Sequence, residues 1–140
     1  MTQPIFGISD LISRYDALLM DLWGVIHDGT SLYPGVADCL QQLHTHDIPV
    51  ICISNAPRRS YKVLSVMDHL GVPRSHYQAL VTSGEVAFEE LRRTPPIRKL
   101  AEDKPVSYAY IGPPKDQDVL DGLSYEVVSA QEADFILNVG

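Results

Sequence analysis

The feature that most restricts the fold of this sequence is its alternation of short apolar, strand-like runs with stretches that carry a helical stripe. Residues 15–23, Tyr-Asp-Ala-Leu-Leu-Met-Asp-Leu-Trp, form an apolar run that holds a carboxylate near its end and meets Gly24. That is the pattern of a strand buried in a parallel sheet. Residues 36–46 follow, with Val36, Ala37, Leu40 and Leu43 on one helical face and Pro34-Gly35 just ahead. Residues 48–53 read as a second buried strand, ending at Ser54-Asn55. Both are favoured helix N-cap types, and Pro57 suits a first helical turn. Over residues 60–70, Val63, Leu64, Met67 and Leu70 lie on one stripe that Gly71 stops. Val81-Thr82-Ser83-Gly84 opens a helix over 85–93, which Thr94-Pro95-Pro96 ends. Residues 106–111 and 135–139 read as two further strands, separated by a helix over 116–123. This order predicts an α/β fold: a mostly parallel sheet with helices on both faces and right-handed crossovers. Ligands of such sheets sit beyond the carboxyl ends of the strands.

Composition narrows the setting. With 140 residues, 45% of them apolar, the chain suits one domain over 1–140 whose core needs no staples. Two cysteines, Cys39 and Cys52, are too few for a disulfide framework and lack the paired spacing of a zinc site, which fits a reducing cytoplasm. No apolar run approaches the ~18 residues of a membrane span, and no basic segment leads into an apolar one at the start. A net charge of −7 without a Lys/Arg stripe speaks against nucleic acid as a partner. An acidic protein can still bind a small phosphate where a metal ion supplies positive charge locally.

Two strand ends carry groups able to do chemistry, Asp21 on the first and Ser54 on the second. A carboxylate at a strand tip beside Gly24 is placed to attack phosphorus and form an aspartyl phosphate that water later hydrolyses; the same oxygens can ligate Mg²⁺. The Ser54 hydroxyl, Asn55 and the open N–H groups of a following helix would cradle the phosphoryl group. The expectation is that Asp21 and Ser54 lie at the carboxyl ends of adjacent parallel strands and face one crevice.

Asp21-Leu22-Trp23-Gly24-Val25-Ile26-His27-Asp28-Gly29 and Ile51-Cys52-Ile53-Ser54-Asn55 resemble the first and second motifs of the haloacid dehalogenase superfamily. Tyr33-Pro34-Gly35-Val36 and Val81-Thr82-Ser83-Gly84-Glu85 are similar to its class IIA branch of sugar-phosphate and nitrophenyl-phosphate phosphatases. The resemblance runs from about Tyr15 to Gly140. It implies a Rossmann-like three-layer α/β/α core with Asp21 as nucleophile, Ser54 binding phosphate beside Asn55, Mg²⁺ as cofactor and a small phosphorylated metabolite as substrate. The family's metal-binding aspartates and lysine follow its lid, and this chain has neither, so it resembles the N-terminal part of a core domain, cut before the lid and inactive alone. A cut of this kind would leave an apolar sheet edge exposed beside the first strand, open to self-association.

One residue departs from the pattern. Where the family usually carries a second aspartate as general acid and base, this chain has Trp23, whose indole donates no proton near neutral pH. The Trp23 backbone carbonyl remains able to ligate a metal. Loss of general acid–base help costs about 10²- to 10⁴-fold in rate, so the alternative is an impaired phosphate- or metal-binding module. His27 and Asp28 are candidates to replace the proton donor, although Asp28-Gly29 is first of all a turn pair. Trp23 itself reads as a core aromatic when taken structurally.

The remaining groups have plainer readings. Cys39 and Cys52 are small buried hydrophobes. His44 and His46 are a solvated helix end, and His69 and His76 are surface residues. Gly112-Pro113-Pro114-Lys115 lacks the N–H donors of a phosphate loop and reads as a turn. Glu89 to Arg93 is an exposed charge run with weak i,i+3 pairs.

Overall fold

In the computed structural model, residue 4 and residues 7–93 and 105–140 are described. The structure is an α/β, Rossmann-like fold of parallel sheets with flanking helices. The chain divides into two compact units, residues 1–54 with 64–81, and residues 55–63 with 82–140.

The first unit opens with a single helical turn, α1 (Ser9–Ile12), and then β1 (Leu18–Asp21), α2 (Val36–Thr45) and β2 (Val50–Ser54). Helix α2 starts after Gly35, whose φ of 84° is the left-handed conformation that favours glycine, and closes at His46, the C-cap. Its stripe buries Leu40 and Leu43. After α3 (Ser60–His69) and the 3₁₀ turn Arg74–His76 comes β3 (Ala79–Thr82), giving a sheet ordered β1-β2-β3. The first unit's buried apolar residues include Leu22, Ile26, Leu40, Leu43, Val50, Cys52 and Met67.

The first strand is not buried on both faces as its composition suggests. Ladder pairs Leu19↔Ile51 and Asp21↔Ile53 put these four side chains on one face, where Leu19 is 69% and Ile53 40% exposed. Val81 is 39% exposed as well. A parallel sheet normally has cover on both sides, so this face is unusual.

The second unit contains α4 (Ser83–Arg93), β4 (Val106–Ile111), a 3₁₀ helix over Pro114–Leu120, β5 (Tyr125–Val127) and β6 (Phe135–Asn138). Its sheet is ordered β5-β4-β6. Tyr108, Val119, Leu120 and Leu137 form its core, with Phe135 stacked on Tyr108 at a ring separation of 5.7 Å.

Four expectations change here. The strands at 106–111 and 135–139 do not extend the first sheet but form a second one, with β5 added. The helix expected over 116–123 is a shorter 3₁₀ helix that starts at Pro114, where Pro113 and Pro114 lack the N–H groups an α-helical start leaves open anyway. The four-residue strand β3 precedes α4, and the expected stop at residues 94–96 lies outside the described residues. The charge run behaves as read, with Arg92 and Glu89 paired at 2.7 Å on the surface. His76 is half-buried rather than a free surface residue, because its ring stacks on His44 at 5.2 Å.

Candidate active site

Asp21 is the last residue of β1 and is exposed. Its Oδ1 accepts the Leu22 N–H at 2.8 Å, which orients the carboxylate at the strand tip. The ladder pairs it with Ile53, so Ser54, the last residue of β2, lies one position further along the neighbouring strand. The two carboxyl ends are therefore side by side, as expected. By the pleat, however, Asp21 and Ser54 point to opposite faces of the sheet, so they do not share a crevice on one face. A single ligand can touch both only beyond the strand ends.

Ser54 and Asn55 do not cap a helix. Helix α3 begins only at Ser60, and the N–H of Ser60 already donates to Glu85 Oε2 at 2.8 Å. A carboxylate thus occupies the helix start that the sequence had suggested for phosphate. The reason is tertiary: residues 55–59 run as an irregular segment whose polar groups, with the Ser60 N–H, are met by residues 82–85. Thr82, 1% exposed, donates its hydroxyl to the Arg58 carbonyl at 2.6 Å and accepts the Glu85 N–H at 3.1 Å. That is half of a capping box. Its other half is redirected, because the Glu85 carboxylate turns to the Arg59 guanidinium, at 3.0 and 3.1 Å, as well as to Ser60. These bonds hold the Glu85 carboxyl below its usual range, the Arg59 hydrogen bond contributing most. Gly84 is required on steric grounds, since a Cβ there would strike the Pro57 carbonyl. Arg58 in turn pairs with the buried Asp116 at 2.7 Å. The role of residues 82–85 was invisible in the sequence apart from the Thr-x-x-Glu capping pattern.

The turn after Asp21 is a compact knot. The N–H groups of Val25, Ile26 and His27 converge on the Leu22 carbonyl, and that of Gly24 donates to the His27 carbonyl at 3.0 Å. Trp23 is not a core aromatic. It is 65% exposed, lies over Gly29, and meets the His27 ring edge-on at 5.9 Å. A turn that buries Leu22 and Ile26 leaves position 23 outward.

The two stand-in proton donors differ. Asp28 Oδ1 accepts the N–H groups of Thr30 and Ser31, each at 2.8 Å, and these bonds lower its pKa to about 2. It stays ionised at neutral pH and serves the turn. His27 is buried, and its Nδ1 accepts the Gly29 N–H at 3.0 Å, which leaves the remaining proton of the neutral ring on Nε2. Burial pushes its pKa down, while Asp28 and Asp21 pull it up.

Asp21 and the Trp23 carbonyl offer hard oxygen donors, the kind Mg²⁺ takes alongside water and substrate phosphate. Among the described residues no group of three or more His, Cys, Asp or Glu side chains could hold a metal ion. Such a site would therefore be completed by other oxygens. A cavity of about 630 Å³ lies elsewhere in the first unit, against Ile8, Ile12, Cys39 and Leu43. Cys39 and Cys52 are free thiols, and burial raises the Cys52 pKa to about 11, which makes it inert as a nucleophile.

The model of the haloacid dehalogenase-like hydrolases matches residues 18–126, which include both strand ends. The chain belongs to that family. No curated relative matches it. A haloacid dehalogenase-like hydrolase from Brucella suis 1330 is 30% identical, with a TM-score of 0.78 over 95% of this chain and 45% of its own. A possible sugar phosphatase of the superfamily from Cytophaga hutchinsonii is 15% identical, with a TM-score of 0.74 over 99% of this chain and 49% of its own. A glycerol phosphate phosphatase from Mycobacterium tuberculosis, solved with calcium, is 20% identical with a TM-score of 0.62, over 92% of this chain and 35% of its own. This haloacid dehalogenase-like chain thus spans less than half the length of these solved relatives. Among its described residues no helix is long and apolar enough to cross a membrane.

Proposed function

We propose that the protein of which this chain forms the N-terminal part of the core is a Mg²⁺-dependent phosphohydrolase of the class IIA branch, acting in the cytoplasm on a small phosphomonoester. The observation that carries this reading is Asp21 at the carboxyl end of β1, beside the end of β2 that bears Ser54, inside the family-matched segment. A carboxylate oxygen of Asp21 attacks phosphorus as the bond to the ester oxygen breaks, the leaving oxygen takes its proton from solvent water, and a further water attacks the aspartyl phosphate, giving its oxygen to inorganic phosphate and its proton to solvent and returning the carboxylate. Ser54 and Asn55 hold the phosphoryl oxygens beyond the strand tips. When bound, the metal supplies positive charge against the phosphate oxygens; Asp21 and the Trp23 carbonyl would hold it. The phosphatase names of two solved relatives support this choice of substrate class.

A second reading, an impaired phosphate- or metal-binding module, is favoured by the proton donors: Trp23 has none, Asp28 stays ionised, and His27 is buried with Nδ1 engaged. The 140-residue chain by itself should show little turnover on either reading. The deciding experiment is Asp21→Asn in the full-length protein with p-nitrophenyl phosphate and Mg²⁺. Turnover should vanish, because the amide keeps the shape but lacks the attacking charge. Retained turnover would refute the assignment, and a wild type that binds phosphate without turning over would establish the second reading.

A further inference from the structure

The segment that follows Ser54 is held by a second set of residues, and the hydrogen bonds show how. Ser83, exposed at the first position of α4, lies with its Oγ 2.8 Å from the carbonyl oxygens of both Asn55 and Ala56 and shares its proton between them. The Gly84 N–H also donates to the Ala56 carbonyl, at 3.2 Å. Removing the Ser83 hydroxyl would therefore leave Ala56 with the Gly84 amide, and the loss would fall mainly on Asn55, which adjoins Ser54. Neighbouring Thr82 and Glu85 anchor the far end of the same segment at Arg58, Arg59 and Ser60. Gly84 allows the close approach of Pro57 that brings these groups together. An exposed polar side chain that holds two carbonyls of a loop in fixed directions is placed to set that loop's geometry rather than to fill a core.

We propose that Ser83 is a positioning residue for the phosphate-binding segment: by fixing the Asn55 carbonyl it sets the orientation of the Asn55–Ala56 peptide and, through the Asn55 backbone, the direction in which Asn55 faces the phosphoryl group. This inference rests on the assignment of Ser54 and Asn55 to phosphate. Ser83 does not touch substrate; it acts through Asn55.

The test uses the full-length protein, Mg²⁺ and inorganic phosphate as the probe, with binding followed by calorimetry and inhibition followed against p-nitrophenyl phosphate. Ser83→Ala should weaken phosphate binding about fivefold, the equivalent of one ordinary hydrogen bond, while kcat changes less than KM. Ser83→Thr, which keeps the hydroxyl, should restore wild-type affinity. Alanine is at least as good a helix former as serine, so the melting temperature should not fall. An unchanged phosphate affinity in Ser83→Ala, or a lowered melting temperature as its sole effect, would overturn the proposal, as would failure of Ser83→Thr to restore binding. Ser54→Ala separates the two levels. If it abolishes phosphate binding while Ser83→Ala does not weaken it, the positioning role alone fails. If Ser54→Ala leaves binding intact, or the wild type binds no phosphate, the underlying assignment fails and this inference with it.

Discussion

Thr82→Val tests whether the bonds of residues 82–85 are as consequential as the geometry implies. Valine has nearly the shape of threonine, so the substitution removes a hydroxyl from a site 1% exposed without opening a cavity. Two short bonds go with it, besides a longer contact of 3.4 Å with the Ser60 hydroxyl. The Glu85 N–H loses its cap, which costs about 1 kcal/mol, and the part-buried Arg58 carbonyl loses a donor at 2.6 Å, which costs about 1 kcal/mol more. The expected destabilisation is about 2 kcal/mol, a fall of about 8 °C in melting temperature or a shift of about 1 M in the urea midpoint. Thr82→Ser keeps both bonds and gives up one methyl group, so it should cost about 1 kcal/mol or less. The unfolding signal should be far-ultraviolet circular dichroism, because the single tryptophan, Trp23, is 65% exposed in the folded chain and reports folding poorly. A Thr82→Val protein within about 0.5 kcal/mol of wild type, or a serine variant as unstable as the valine one, would refute the reasoning.

Trp23→Asp should raise turnover of a small aryl phosphate by about 10-fold or more in the full-length protein, since it restores a proton donor after the nucleophile. Because the indole is largely exposed, the melting temperature should change little, and a folded variant no faster than wild type would show that proton transfer is not limiting. Asp28 has a pKa of about 2, depressed from 3.8, so its charge adds stability that is fully present above the unfolded value and lost as pH falls through the folded one. The stability gap between wild type and Asp28→Asn, followed by urea unfolding, should therefore be widest above about pH 5 and shrink toward pH 2; a gap constant over that range would contradict the turn's reliance on the ionised carboxylate. The exposed face of Leu19 and Ile53 should drive concentration-dependent association of the 140-residue chain, which light scattering would detect and Leu19→Lys would reduce; a monomer at all concentrations would count against it.

Local periodicity carried most of the element order. The helix stripes at Leu40 and Leu43 and at Val63 and Met67 are spaced for one buried face, and Asp21 and Ser54 interrupt apolar runs where parallel strands end. Strand β3 escaped notice because four residues, Ala-Leu-Val-Thr, are too few to show alternation against a following helix start. Class-level chemistry was legible for the same reason the strands were: the first two motifs are contiguous in sequence.

What the sequence by itself determined is the β-α-β order and the arrival of a carboxylate and a hydroxyl each at the end of a strand, because each of these follows from a pattern within a dozen residues. Only the tertiary structure decided which strands share a sheet, since pairing β4 with β5 and β6 instead of with the first sheet depends on partners that local pattern does not name. It also decided that Trp23 faces outward, because Leu22 and Ile26 take the buried positions of that turn. And it decided that Ser54-Asn55 leads into a held loop rather than a helix. A favourable cap is worth about 1 kcal/mol, and the several bonds that Thr82 and Glu85 make to residues 58–60 outweigh it.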